Sequence, residues 1–153
     1  MISDTIKPTG LVSFVLTDEF GNVKRQEEHN LVVNTGLAFL TSRAVGTAQG
    51  VMSHMAVGTG SAAAAGTQAV LTTESARVAL GTPTTITTSV TNDTIQYSAI
   101  FSAGTGTGTL TEAGIFNAAS AGTMLARTVF ASSIGKAALD TLTITWTIKL
   151  AGV

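Results

Sequence analysis

The sequence predicts an all-β protein: a β-sandwich of jelly-roll-like form with one short helix and flexible, glycine-rich loops. Three observations carry that expectation. Leu142, Ile144, Trp146, Ile148 and Leu150 alternate with Thr141, Thr143, Thr145, Thr147 and Lys149, the period of two that turns one face of a strand inward. Short β-rich runs recur at fairly regular spacing, divided by glycine-rich turns. Helical periodicity is almost absent, which favours a sandwich over a βαβ sheet. A length of 153 residues fits one domain with its own core. We expect residues 1–10 to form an N-terminal arm and residues 11–153 a single sandwich domain.

In chain order, Leu11 to Thr17 is β-branched and aromatic enough for a strand, and Asp18 to Asn22 has turn composition. Val23 to Val33 reads as the return strand of a hairpin. Asn34 or Thr35 then caps a short helix in which Leu37, Leu40 and Ala44 share a face. Ser53 to Val57 is a short strand, and the small-residue run Gly58 to Gly66 reads as a flexible linker or exposed arm. Gln68 to Glu74 fits either a brief helix or irregular backbone. Ser75 to Leu80, Thr84 to Thr91 and Thr94 to Phe101 are strands, with Asn92-Asp93 as a hairpin turn between the last two. Gly104 to Gly108 breaks the chain. Leu110 to Phe116 and Thr123 to Ala131 resume as strands separated at Gly122, and Ser133 to Lys136 reads as a turn before the last strand.

Charged residues make up 11% of the chain and hydrophobic ones 44%, so polarity has moved from charge to Thr, Ser, Asn and Gly. Such a surface gives up much of the repulsion that keeps small monomers apart, and we read it as surface meant to be covered. A net charge of −1 with eight dispersed basic residues gives no row of cations for phosphates, which argues against direct nucleic-acid binding. The absence of cysteine excludes disulfides, thiolate metal sites and cysteine nucleophiles. Met1 to Pro8 lacks the order of a secretory signal, and no apolar run is long enough to span a bilayer. We therefore expect a protein made in the cytoplasm with no membrane partner.

Three stretches carry a family resemblance: His29-Asn-Leu-Val-Val-Asn-Thr-Gly-Leu37, Met52-Ser-His-Met-Ala-Val-Gly-Thr-Gly60 and Thr111-Glu-Ala-Gly-Ile-Phe-Asn117. Together with Met124 to Phe130 and Leu142 to Trp146, they resemble small virion proteins encoded among the structural genes of tailed bacteriophages. The resemblance covers most of the chain and implies a part of the particle: a capsid cement or decoration protein, or a tail-associated component. Cement proteins of this kind resemble jelly-rolls that sit outside the mature shell as homodimers or homotrimers and bridge neighbouring copies of the major capsid protein. The resemblance thus implies a virion location, on the capsid exterior. Binding spread over several sites would gain by effective concentration, and arms that order on docking would suit it. Met1, Ile2 and Ile6 in one segment and Gly58, Gly60 and Gly66 in the other are the candidates.

The chemistry-bearing residues give no catalytic, cofactor-binding or metal site. His29 and His54 are isolated and lack metal-ligand spacing. Gly58-Thr59-Gly60 lacks the Gly-Lys-Ser/Thr that would follow in a phosphate loop. Ser133-Ile-Gly-Lys136 has SxxK spacing, but Gly135 disfavours the helix that spacing needs. Asn92-Asp-Thr94 has the form of a glycosylation acceptor and reads as the hairpin turn. The adjacent acidic pairs, Asp18-Glu19 and Glu27-Glu28, read as solvated charges of the first hairpin rather than a hydrolytic dyad. Trp146 belongs to the alternating apolar row with Leu142, Ile144 and Ile148, so it is expected in the core rather than as a sugar-stacking platform.

Glu112, Arg127 and Arg77 stand among apolar residues, and a charge buried there must be paired. Two readings stand side by side: a network joining Glu112 to Arg127 or Arg77, or three separate solvated charges. The expectation for the whole chain is a non-enzymatic capsid cement or decoration protein with no cofactor. A tail, baseplate or fibre-attachment protein is the alternative, and a carbohydrate-binding module is a third class.

Overall fold

A computed structural model describes residues 6–46 and 49–150. Among them are ten strands and one helix: β1 (Thr9–Thr17), β2 (Val23–His29), β3 (Leu31–Val32), α1 (Asn34–Ala44), β4 (His54–Gly58), β5 (Glu74–Ala79), β6 (Thr84–Ile86), β7 (Thr94–Phe101), β8 (Gly108–Phe116), β9 (Met124–Lys136) and β10 (Thr141–Lys149). They form two five-stranded antiparallel sheets, β2-β1-β10-β7-β6 and β3-β9-β8-β4-β5. The sheets pack face to face around one large core. The all-β sandwich expected from the sequence is the fold.

Alternation builds the first sheet. Register places Leu16, Leu142 and Phe101 in one inward row, Phe14, Ile144 and Ala99 in the next, and Val12, Trp146 and Tyr97 in a third. All nine are buried. Each large side chain taken from water contributes about 1.5–3 kcal/mol, so these rows are the main reason the sheet closes on its partner. Met55, Val57, Leu110, Ile115 and Leu125 face them from the second sheet. The rings of Phe14 and Phe130 meet across the gap, tilted, with centroids 4.5 Å apart.

The second sheet departs from regular pairing where other elements dock. In β9, Leu125 is an extra residue between the pairs Ile115–Ala126 and Phe116–Met124. Its carbonyl turns out of the ladder to accept the Val33 N–H at 3.2 Å. Helix α1 rests there through Gly36, where a Cβ would overlap the same carbonyl oxygen. This contact sets the rotation of the helix. Gly36, Phe39 and Ser42 are its buried residues, whereas Leu37 and Ala44 are exposed and Leu40 is half-buried. The residue before the helix, Val33, occupies the cap position without a side-chain cap, and Thr35 instead donates its hydroxyl to the Met124 carbonyl at 2.7 Å. The expected cap and face are therefore corrected: docking on a bulge outweighs the local pattern.

Other boundaries also move. The stretch from Val23 breaks at Asn30, where the chain passes from the first sheet to the second. Thr9 and Gly10 pair with Lys149 and Ile148, so they belong to β1 and not to an arm. Only Thr84–Ile86 of the threonine-rich run pairs with β7. The residues that follow wrap around Asp93, whose carboxylate accepts the backbone N–H groups of Thr88, Ser89 and Val90. Those bonds outweigh its desolvation and hold its carboxyl far below the ordinary carboxylate range. Ser133 to Lys136 is strand, not turn. β9 continues past an irregularity in which Thr111 alone stands opposite Phe130 to Ser133, and Ile134 to Lys136 then pair with Leu110 to Gly108.

Candidate functional site

The charged centre of the molecule lies on the outer side of the second sheet. Arg127 on β9 is in register with Gly114 on β8, which puts it diagonal to Glu112 on the same face. Glu112 Oε2 lies 2.7 Å from Arg127 Nη2 and 3.0 Å from Nε. Both side chains are completely buried.

They are buried because the chain between Thr59 and Thr73 crosses over them as a roof. Gly60 and Thr73 donate their backbone N–H groups to Glu112 Oε1 at 3.1 and 2.7 Å, and Thr72 donates to Oε2 at 3.0 Å. With the two bonds from Arg127, the carboxylate accepts five donors. The guanidinium also reaches Gln68 Oε1 at 2.8 Å and Thr72 Oγ1 at 3.1 Å. Thr111 Oγ1 donates to the Gly60 carbonyl, and the Asn34 N–H donates to the Gly66 carbonyl. Leu71 descends from the roof into a second small core with Val33, Ala56, Phe116 and Met124.

Burial alone would raise the Glu112 carboxyl. The N–H of Thr73, the Arg127 guanidinium and the N–H of Thr72 outweigh it and hold the group below its ordinary range. The carboxylate is ionised and saturated with donors, so its chemical work is to fix the roof. A buried pair of this sort contributes little net energy against an apolar substitute, but losing one partner strands a charge in the interior.

Of the residues singled out from the sequence, Glu112 and Arg127 are brought together, while Arg77 is not. Arg77 pairs with Glu74, Nη2 to Oε2 at 2.7 Å. Its guanidinium lies 3.7 Å above the centre of the Phe116 ring, and it donates to the carbonyls of Ala118 and Ala121. It clamps the neighbouring loop and has no part in the Glu112 network.

The docking-arm expectation for Gly58, Gly60 and Gly66 is likewise corrected. Gly58 ends β4, Gly60 is a buried residue of the roof itself, and Gly66 is half-buried against Asn34. A Cβ at Gly60 would overlap Glu112 Oε1, and one at Gly58 would overlap the Thr73 carbonyl oxygen. These glycines permit close approach of segments within the chain. Ile6 is exposed, and Met1 and Ile2 lie outside the described residues.

Leu142, Ile144, Trp146 and Ile148 are fully buried. Trp146 therefore offers no platform to a sugar. His29 is exposed at the end of β2, and the half-buried His54 ring has its Nδ1 2.9 Å from Ser53 Oγ. Among the described residues no cluster of three or more His, Asp or Glu side chains is placed to hold a metal ion, and no helix is long and apolar enough to cross a membrane. Ser133 and Lys136 lie on one strand, three residues apart and so on opposite faces. Ser133 is exposed, whereas the buried Lys136 donates to the Ser102 carbonyl at 3.0 Å.

Sequence reasoning missed Gln68, Thr72 and the backbone donors of the roof, and it missed Lys136 as a buried charge. The available signal for Lys136 was its period-two relation to Ile134, obscured by Gly135. For the roof there was no pattern to read, because its contribution is made by main-chain N–H groups.

No protein-family model, no curated protein and no solved structure matches this chain.

Proposed function

We propose that this chain is a structural protein of a tailed-phage particle, acting as a capsid cement or decoration protein that binds the outside of the capsid lattice and stabilises the mature head. The observation that carries the structural part of the reading is the donor-saturated Glu112–Arg127 pair. The most deeply buried charges among the described residues hold a loop to a sheet. The virion part rests on the resemblance of the quoted motifs, and the sandwich is a fold suited to it. The low charge supports assembly over isolated solubility. In this reading the partners are other copies of the chain and the major capsid protein.

The test is co-sedimentation of the purified protein with expanded empty capsids and, separately, with isolated tails. Saturable binding to shells at a fixed stoichiometry is expected. Binding to tails alone would overturn the cement assignment in favour of a tail, baseplate or fibre-attachment role. Binding to neither would overturn both.

A further inference from the structure

The apolar stripe that the sequence places on α1 is not spent on the core. Gly36, Phe39 and Ser42 are the helix's buried residues, while Leu37, 42% exposed, and the half-buried Leu40 face a groove instead. Ile6, Pro8 and Leu37 line one part of this groove, and Met52, Ile95 and Tyr97 line the other. Leu40 and Leu150 line both, so the two parts are continuous. The part at Tyr97 alone holds about 520 Å³, within the roughly 300–1,000 Å³ of small-molecule sites.

Two polar groups converge on that part. Tyr97 is 5% exposed, yet its hydroxyl makes no hydrogen bond among the described residues, whereas a buried tyrosine ordinarily finds a partner. Burial raises that hydroxyl to about 12, so it is a donor at neutral pH. Arg43 is the one charged residue among those that line the groove. Its guanidinium lies 5.5 Å from the centre of the Phe39 ring, and Nη1 donates to the Gln49 carbonyl at 3.0 Å. No carboxylate among the described residues pairs with it, and its charge acts on the Tyr97 hydroxyl through space. Two donors without a matching acceptor thus border one apolar space.

We propose that this groove binds a small amphiphilic carboxylate, whose head group accepts hydrogen bonds from Arg43 and Tyr97 and whose aliphatic chain lies along Leu40 and Leu150. Shape and charge select that ligand. Leu37 and Arg43 are about 9 Å apart along the helix, which gives an aliphatic chain an apolar trough to follow, and each methylene taken from water there tightens binding about fourfold. A lone cation at one end favours an anionic head group, and a guanidinium matches the two oxygens of a carboxylate. The site lies within one chain, so it can fail while the virion reading stands.

Titration of the full chain with octanoate, octanol and octylammonium, followed by the methyl resonances of Leu40, Val51, Met52 and Leu150, tests the proposal. Octanoate is expected to shift these methyls saturably and to bind about tenfold more tightly than octanol, the worth of a charge-assisted hydrogen bond. Octylammonium should bind more weakly still, and decanoate about tenfold more tightly than octanoate. Arg43→Met, at an exposed position and checked for an intact fold by near-ultraviolet circular dichroism, should bring octanoate down to the affinity of octanol. Absence of saturable shifts with octanoate into the millimolar range would overturn the proposal. Equal binding of the three head groups, or octanoate binding unchanged in Arg43→Met, would overturn it as well.

Discussion

The two broad faces of the sandwich are built on opposite terms. The outer face of the second sheet is roofed: α1 docks on its bulge, the Thr59–Thr73 segment crosses it, and a charged pair and a small core lie beneath. The outer face of the first sheet is covered chiefly at one end, where Thr88 from the turn around Asp93 bonds and buries Thr94, and its central positions are Thr, Ser, Val and Ile. The burial patterns record the difference. β10 alternates buried and half-buried residues along its whole length, whereas the last five residues of β8 are all buried. A strand that is buried on both faces must accommodate close backbone approach and satisfy every polar group. A strand covered on one face need only keep its inward row apolar.

The largest effect should come from stranding a charge under the roof. Arg127→Met leaves the Glu112 carboxylate buried with only its backbone donors, and a loss of about 3–5 kcal/mol is expected. Urea denaturation followed by the fluorescence of the single tryptophan, Trp146, measures it. The double variant Glu112→Leu/Arg127→Met should lose less than Arg127→Met does, because no unpaired charge remains. An additive result would mean that the pair acts as two independent residues, and the contrast between the faces would lose its energetic basis.

Next in size is the close approach that seats the helix. Gly36→Ala drives a Cβ into the Leu125 carbonyl oxygen, and overpacking of this kind costs about 1–3 kcal/mol. Thermal denaturation should show a lowered midpoint, and hydrogen exchange should quicken in α1 before it quickens in β10.

Acid sharpens the same comparison without mutation. The Glu112 carboxyl is held below its ordinary range in the folded protein, so its contribution is fully present above the unfolded-state value, near 4.5, and is lost as pH falls through the lower folded value. Protonation removes the acceptor of three backbone N–H groups, so the roof should open before the sandwich does. Limited digestion with an acid-active protease should cut between Gly60 and Thr73 while Trp146 remains buried. Alkali probes the inner face of the other sheet. Burial raises the hydroxyl of the single tyrosine, Tyr97, to about 12 against a smaller opposing effect of Arg43. That stabilisation is complete below pH 10 and is lost as pH rises through about 12, and tyrosinate absorbance should rise together with unfolding.

These contrasts also explain what could be read from the sequence. The first sheet was legible because water on one side and core on the other impose a period of two, and β10 and the expected Thr94–Phe101 strand follow it closely. Glu112 and Arg127 were visible as charges among apolar residues, but the choice of Arg127 over Arg77 depends on the register of β8 with β9. The roof was illegible as a structure. Gly58 to Gly66 has the composition of a free loop, and it is ordered by donor groups that every residue possesses and by a carboxylate about 50 residues further along the chain. The turn expected at Ser133 to Lys136 follows from serine and glycine, whereas the ladder of Ile134 to Lys136 with Gly108 to Leu110 holds the segment as strand.

The smallest predicted effect is the one that separates a covered face from a bare one. Thr145 is in register with Ser13 and Ser98 and points away from the core, and among the described residues no hydrogen bond of its side chain holds another element. Thr145→Val preserves its β-branched shape, so the stability of the protein should change by no more than about 0.5 kcal/mol. A loss of several times that amount would mean that the threonine row supports the fold as the roof does. A near-neutral result would show that the threonine row is dispensable for folding, as expected of positions on an exposed strand face.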